Sequence, residues 1–250
     1  MANQKRNKHL KKHLDNLELA FELAKINLGS TKENPSVGCV VEKNGSIISS
    51  GHTSLNGRPH AEFNALNKNI NFKNANLYTT LEPCTHYGLT PPCINIIIKK
   101  KIKKVFFSLI DPDTRTKDKA KFKLNQKNII VKKGILKNIT KDLYKSYFLK
   151  KKKLLPIIDA KIAISKDYFT INKKNKWITN KLSHIRAHLI RSWYDCIIST
   201  SRSINSDNSL LNCRIRGLEK KSPSLVIFDR NLILKKNLSF LTLSLLFHIF

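Results

Sequence analysis

His60, Glu62, Cys84 and Cys93 are the residues of this chain whose types and order could do chemistry. The first two open "HAEFNALNKN", a histidine, a small residue and a glutamate that run into a helical pattern. Alone, that stretch is as readily an ordinary helix start as a metal site. "LEPCTHYGLTPPC" supplies what it lacks, with Cys84 after a strand end and Cys93 at a helix start. One nitrogen and two sulfur ligands leave zinc a fourth, open position for water, the arrangement of a catalytic site. Both thiols fall near expected helix N-termini, where the dipole favours thiolate. Zinc acidifies its water to near neutral pH, and Glu62 stands two residues from a ligand, placed to carry the proton. This is the chemistry of zinc nucleobase deaminases, in which hydroxide attacks a ring carbon and its amine leaves as ammonia.

Each feature is weak alone. His-x-Glu recurs by chance, and two cysteines can be small buried hydrophobes. The combination, each part at the right kind of boundary, carries the reading. A structural zinc site is usually closed by a fourth ligand. His86 fits that role by composition, but it lies in the loop between the cysteines and is read as a substrate-pocket residue.

The elements that must position these residues alternate. Leu10, Leu14, Leu17, Phe21 and Ala24 make one face of a helix over 10–28, closed by Gly29. "SVGCVVEKNGSIISSG" reads as two strands around Asn44-Gly45. The His60 helix follows, then the strand "NLYTTLEP", the helix "PPCINIIIKKKI" with prolines at its start, and the strand "KKVFFSLIDP". A helix at "TKDKAKFKLNQK", a strand at "NIIVKKG" and a helix at "NITKDLYKSYFLKK", with Leu143, Tyr147 and Phe148 inward, complete a layered α/β domain. The domain is expected over 1–150. The charged run "LKKKKLLP" is the linker to a second unit over 151–250. That unit holds a strand at "PIIDAKIAIS", a helix at "NKLSHIRAHLIRSW", and strands at "YDCIISTS" and "PSLVIFD".

Composition bounds the rest. The 250 residues carry 47 basic against 17 acidic side chains, a net charge of +30. Such a chain suits nucleic acid or phosphorylated substrates. Its Lys, however, travels with Asn and Ile, as in "KKNKWITNK", a signature of A- and T-rich coding, so compositional drift is the preferred cause. Five cysteines without a secretory signal argue against a disulfide framework. The longest apolar segment, "LSFLTLSLLFHIF", is shorter than a membrane span requires. A cytoplasmic, soluble protein with no membrane partner is expected.

"NPSVGCVV", "GRPHAEFNAL" and "LEPCTHYGLTPPC", with eight residues between the cysteines, resemble the bifunctional riboflavin-biosynthesis family. The resemblance continues through "SLIDPDTR", "DAKIAIS", "KWIT" and "LIRSWYDCIISTS". It implies a cytidine-deaminase-like three-layer α/β/α domain, followed by a partial dihydrofolate-reductase-like α/β domain. The deaminase acts on a diaminopyrimidinone bearing a ribosylamino 5-phosphate and removes its ring 2-amino group. The resemblance makes His60, Cys84 and Cys93 ligands of Zn2+, Glu62 the proton carrier and Asn34 the partner of the pyrimidine. Two positions depart from the family. Leu89 stands where a Lys or Arg, a candidate phosphate partner, is usual, and Asp113 stands where Asn is usual. A carboxylate repels phosphate; Arg115 and Lys117 are the candidate compensating charges.

The family's reductase uses NADPH. By resemblance Trp177, Ser203 and Asp207 are cofactor positions, and Asn175, Arg191, Leu211 and Arg214 are substrate positions. No glycine follows Gly217 and no Glu follows Glu219, so the family's later phosphate loop and the glutamate before it have no counterpart. The tail reads as a truncated or frameshifted end, and the reductase as impaired. The leading expectation is therefore a zinc pyrimidine deaminase with a small phosphorylated substrate. A non-catalytic zinc-binding remnant and a nucleic-acid deaminase are the alternatives, and homo-oligomerisation stays open.

Overall fold

The computed structural model describes residues 2–170, 177–242 and 247–250. It divides into two units, Met1–Ile158 and Asp159–Phe250. The first is built from α1 (Ala2–Lys25), β1 (Gly38–Lys43), β2 (Ser46–His52), α2 (Ala61–Leu66), β3 (Asn76–Leu81), α3 (Cys93–Lys99), β4 (Lys104–Leu109), α4 (Lys119–Asn125), β5 (Ile130–Lys133), α5 (Lys137–Leu143) and α6 (Lys145–Lys151).

Its sheet has the order β2-β1-β3-β4-β5. β1 pairs antiparallel with β2 and β3, whereas β3–β4 and β4–β5 are parallel. The hairpin turns at Asn44 (φ 52°) and Gly45 (φ 94°), the positive φ values that tight two-residue turns demand. Parallel neighbours need crossovers, which α3 and α4 provide. Alternate strand residues feed two cores. Cys39, Val41, Leu77, Leu81, Val105 and Phe107 pack with α2 and α3, while Val40, Tyr78 and Phe106 pack under Leu17 and Ala20 of α1. Three layers result.

The helices sit unusually close to the sheet edge. A Cβ at Gly51 of β2 would lie 2.6 Å from both Ala61 O and Ala65 N of α2. Only glycine allows that approach, and it presses the His60 end of α2 against the sheet.

The structure corrects several expectations. The first helix ends at Lys25 rather than reaching residue 28, and Gly29 (φ 75°) closes the turn that follows. The single helix expected over 138–151 is two, divided at Tyr144 (φ −101°, ψ 8°). The break turns Tyr144 inward, where its hydroxyl donates to Ser36 O at 2.9 Å and bonds Thr80 Oγ1. Helical periodicity could not show that tertiary pull.

The second unit contains α7 (Lys181–Arg191), β6 (Cys196–Thr200), α8 (Ser201–Asp207), β7 (Ser224–Phe228) and β8 (Phe247–Ile249). Its three strands are parallel in the order β6-β7-β8 around Ile204, Leu225, Ile227, Leu238 and Phe240. The strand expected at 156–165 is not formed. Ile158 and Ile162 are 76% and 69% exposed there, and an apolar run without a ladder partner does not make a strand. α8 was not foreseen, because "SRSINSD" lacks an apolar stripe. Among the described residues, no helix is long and apolar enough to cross a membrane.

One buried side chain joins the strand ends that lead to the functional loops. Glu82, just after β3, accepts from Asp111 N (3.2 Å) and Asp118 N (3.0 Å) through Oε2, and from Ala120 N (3.0 Å) through Oε1. Glu82→Ala leaves these donors, two of them buried, without their acceptor and should cost about 2 kcal/mol or more, at 1–3 kcal/mol for each buried orphan. Glu82→Gln, which keeps one acceptor oxygen, should cost less. Denaturant unfolding midpoints check the order.

Candidate metal centre and active site

The metal-ligating types converge at the N-terminus of α2. His60 is its N-cap, in extended backbone (φ −71°, ψ 159°). Its Nδ1 lies 3.6 Å from Cys84 Sγ and 3.4 Å from Cys93 Sγ, and the three potential ligand atoms fall within 4.8 Å of one another. Zinc bonds of ~2.0–2.1 Å to nitrogen and ~2.3 Å to sulfur, set tetrahedrally, place N and S about 3.6 Å apart. The spacing and the soft donor set therefore fit zinc. His86 is not in this group; its Nδ1 bonds Thr116 Oγ1 at 3.0 Å, and it lines the adjoining cleft.

The two cysteines are electrostatically unequal. The Cys93 thiol donating to it, with His60 and the Cys93 backbone N–H (3.1 Å), holds the Cys84 thiol down to about 4, against the cost of burial. Cys93 goes the other way, well above the usual thiol range, because it keeps the proton it shares with Cys84 and is fully enclosed. Two thiolates side by side repel, and a single proton between them relieves this. A metal ion takes that proton's place.

Glu62, in the first turn of α2, is only 4% exposed, and Cys93 Sγ stands 3.3 Å from its Oε2. Burial first, then the Cys84 thiolate, raises its carboxyl to about 7. A carboxyl so tuned both takes and gives a proton near neutrality.

Asn34 reaches the same cleft from the loop before β1. Its Nδ2 donates to Gly57 O at 3.0 Å. Its Oδ1 accepts no bond from the described residues, so it is available to a ligand. Gly57 (φ 85°) cannot be replaced quietly, since a Cβ there would meet Thr31 O at 2.4 Å and Asn34 Nδ2 at 2.7 Å.

The cleft encloses about 100 Å³ and opens to solvent at its mouth. Its far wall contains residues that sequence reading missed or misjudged. Asp113 is gripped by Arg115 (2.9 and 2.6 Å) and by Lys151 (2.8 Å), and these cations hold its carboxyl far below the usual range. Arg115 thus compensates Asp113, as expected, whereas Lys117 is exposed and does not line the cleft. Lys151 lies 38 residues from Asp113 and left no sequence signal. Asp111 accepts from Tyr147 Oη at 3.0 Å, which orients that wall.

In the second unit, Arg191 Nη1 donates to Asn212 O (3.0 Å) and Arg214 Nη1 to Asn212 Oδ1 (2.9 Å), so these two expected substrate positions are brought together. Leu211 packs against the unit's core. Ser203 and Asp207 lie on α8, and Trp177 stacks near His184, 4.4 Å between ring centroids. Asn175 lies outside the described residues.

Residues 10–109 match the cytidine and deoxycytidylate deaminase zinc-binding region. The chain is 35% identical to the riboflavin biosynthesis protein RibD of Bacillus amyloliquefaciens over 229 residues, 90% of this chain and 62% of that protein. It is 36% identical to RibD of Aquifex aeolicus over 219 residues, covering 86% and 61%. This chain therefore spans about three fifths of the length of these relatives. Among solved structures, it is similar to a diaminohydroxyphosphoribosylaminopyrimidine deaminase/5-amino-6-(5-phosphoribosylamino)uracil reductase of Thermotoga maritima. The TM-score is 0.86 at 31% identity, over 96% of this chain and 70% of that one. Acinetobacter baumannii RibD gives a TM-score of 0.83 at 30% identity, with the same coverages. A cytidine-deaminase-like α/β domain followed by a partial second α/β domain is thus the architecture shared with these structures, and the chain belongs to the RibD family of riboflavin biosynthesis proteins.

Proposed function

We propose that this chain is a zinc-dependent hydrolytic deaminase in riboflavin biosynthesis, acting on 2,5-diamino-6-ribosylamino-4(3H)-pyrimidinone 5′-phosphate. The observation that carries the reading is the convergence of His60 Nδ1, Cys84 Sγ and Cys93 Sγ beside the buried carboxylate of Glu62. His60, Cys84 and Cys93 hold the ion. Zinc bound there supplies a Lewis acid that makes water nucleophilic near neutral pH. Glu62 accepts the proton of the attacking water and delivers it to the leaving amine. Its buried setting, with Oε2 3.3 Å from Cys93 Sγ, keeps it beside the ligand set where the proton must move. Asn34 orients the pyrimidine through its available amide oxygen, with Gly57 holding the other end of the amide. His86, fixed by Thr116, borders the substrate.

The NADPH-dependent reduction known for the family is kept separate. Trp177 is 64% exposed, and Ser203 and Asp207 are exposed on α8. A shallow, open groove on the second unit is lined by Lys161, Leu182, Ser183, Arg186, Ala187 and Ile190. Hydride transfer needs cofactor and sugar held in near-attack geometry. We therefore assign the deamination no dependence on NADPH.

Three outcomes are expected. Cys84→Ser should lose zinc and ammonia release together, by elemental analysis and a coupled ammonia assay; a variant that kept its metal would remove Cys84 from the ligand set. Glu62→Gln should retain zinc and lose about 10²–10⁴-fold in turnover, the usual worth of a general acid–base group. Loss of metal in that variant, or near-normal turnover, contradicts the role. Ammonia release should be the same with and without NADPH, and stoichiometric NADPH oxidation by this polypeptide alone would overturn the separation.

A further inference from the structure

We propose that Arg58 supplies the cationic contact for the substrate's phosphate, in place of the basic side chain absent at Leu89; this rests on the deaminase reading above. Leu89 is 89% exposed and does not line the cleft. Arg58 does, from the loop between β2 and α2. Its Nη1 donates to Thr90 Oγ1 at 2.7 Å, and a Cβ at Gly88 would lie 3.6 Å from its Nη2. The guanidinium therefore lies across residues 88–90, the loop from which a basic residue 89 would have extended. The charge is delivered to that loop from a different strand connection.

Charge accounting singles out this arginine among the cations of the cleft. Arg115 and Lys151 are both committed to Asp113. Among the described residues, no carboxylate pairs with Arg58. One Nη1 donor serves Thr90, which leaves the Nη2 and Nε donors of a planar fork that matches two phosphate oxygens. Nη1 also stands 3.4 Å from His60 Nε2, on the side of the imidazole opposite Nδ1. The ring thus separates the guanidinium from the metal-facing atom. That setback suits a phosphate held away from the reacting ring carbon by its sugar.

The test uses the zinc-loaded full chain and the variants Arg58→Met, Arg58→Lys and Arg58→Met/Leu89→Lys. Zinc content, KM and kcat are measured for the 5′-phosphate substrate and for its dephosphorylated form, and ribose 5-phosphate binding is titrated calorimetrically. Arg58→Met should raise KM for the phosphorylated substrate roughly tenfold or more, the scale of a lost charge-assisted hydrogen bond. It should keep its zinc, affect the dephosphorylated form far less, and bind ribose 5-phosphate correspondingly more weakly. Adding Leu89→Lys should restore part of the loss. Unchanged KM and unchanged ribose 5-phosphate affinity in Arg58→Met overturn the proposal. So does loss of zinc in both single variants with equal effects on the two substrates, which makes Arg58 only a support for His60. If the unaltered chain releases no ammonia, the deaminase reading fails by itself, and the ribose 5-phosphate titration still decides the role of Arg58.

Discussion

The carboxylate of Glu82 is the constraint on which the active-site architecture depends. It sits at the end of β3, two residues before Cys84, and accepts three backbone N–H groups from the segment that follows β4. Parallel strands end side by side but leave their outgoing loops free to diverge. Glu82 prevents this, fixing the loop that carries Cys84 against the loop that carries Asp111, Asp113 and Arg115. Burial raises its carboxyl, and the three N–H groups work against that cost. A neutral side chain of similar size could fill the space but could not accept all three bonds. The cleft lies at the carboxyl ends of β3 and β4, where parallel sheets generally place ligands, and Glu82 makes that crevice a defined one.

Upon this frame, the chemistry arises from unequal burial of similar groups. Cys84 and Cys93 have the same side chain, yet the hydrogen bond between them lowers the first thiol and raises the second, with His60 and a helix-start N–H adding to the one and enclosure to the other. Glu62 and Asp113 are both carboxylates lining one cleft. Burial and the neighbouring Cys84 raise the Glu62 carboxyl to about 7, whereas Arg115 and Lys151 hold that of Asp113 far below its usual range. A carboxyl raised toward neutrality and a fixed charge thereby stand within a single pocket.

The departures at Leu89 and Asp113 are linked through charge placement. Asp113 adds a negative charge to a cleft expected to receive a phosphate, but two cations at its oxygens reverse the local balance. That arrangement consumes the cations that would otherwise have served the phosphate. The Arg58 guanidinium, with no carboxylate partner among the described residues, lies instead across residues 88–90.

The sequence alone determined the candidate metal-ligand set and most of the elements. His60, Glu62, Cys84 and Cys93 were legible because zinc chemistry restricts which residue types can serve and because each stands at a strand or helix boundary. The hairpin at Asn44-Gly45 and the strands β1, β3 and β4 were legible because turn sterics and short apolar runs, buried on both faces, are written into consecutive residues. Periodicity failed where long-range contacts decided the outcome. Tyr144 breaks a helix to reach Ser36, 108 residues away. The apolar run at 156–165 lacks a ladder partner. Lys151 and Arg58 gave no signal, since a surface-like basic residue in a chain of +30 is indistinguishable from its neighbours until the fold sets it beside Asp113 or Thr90. Ligand identity is a property of residue type and could be read directly; pKa, charge pairing and the free valence of a guanidinium are properties of distance, and only the tertiary structure fixes distances.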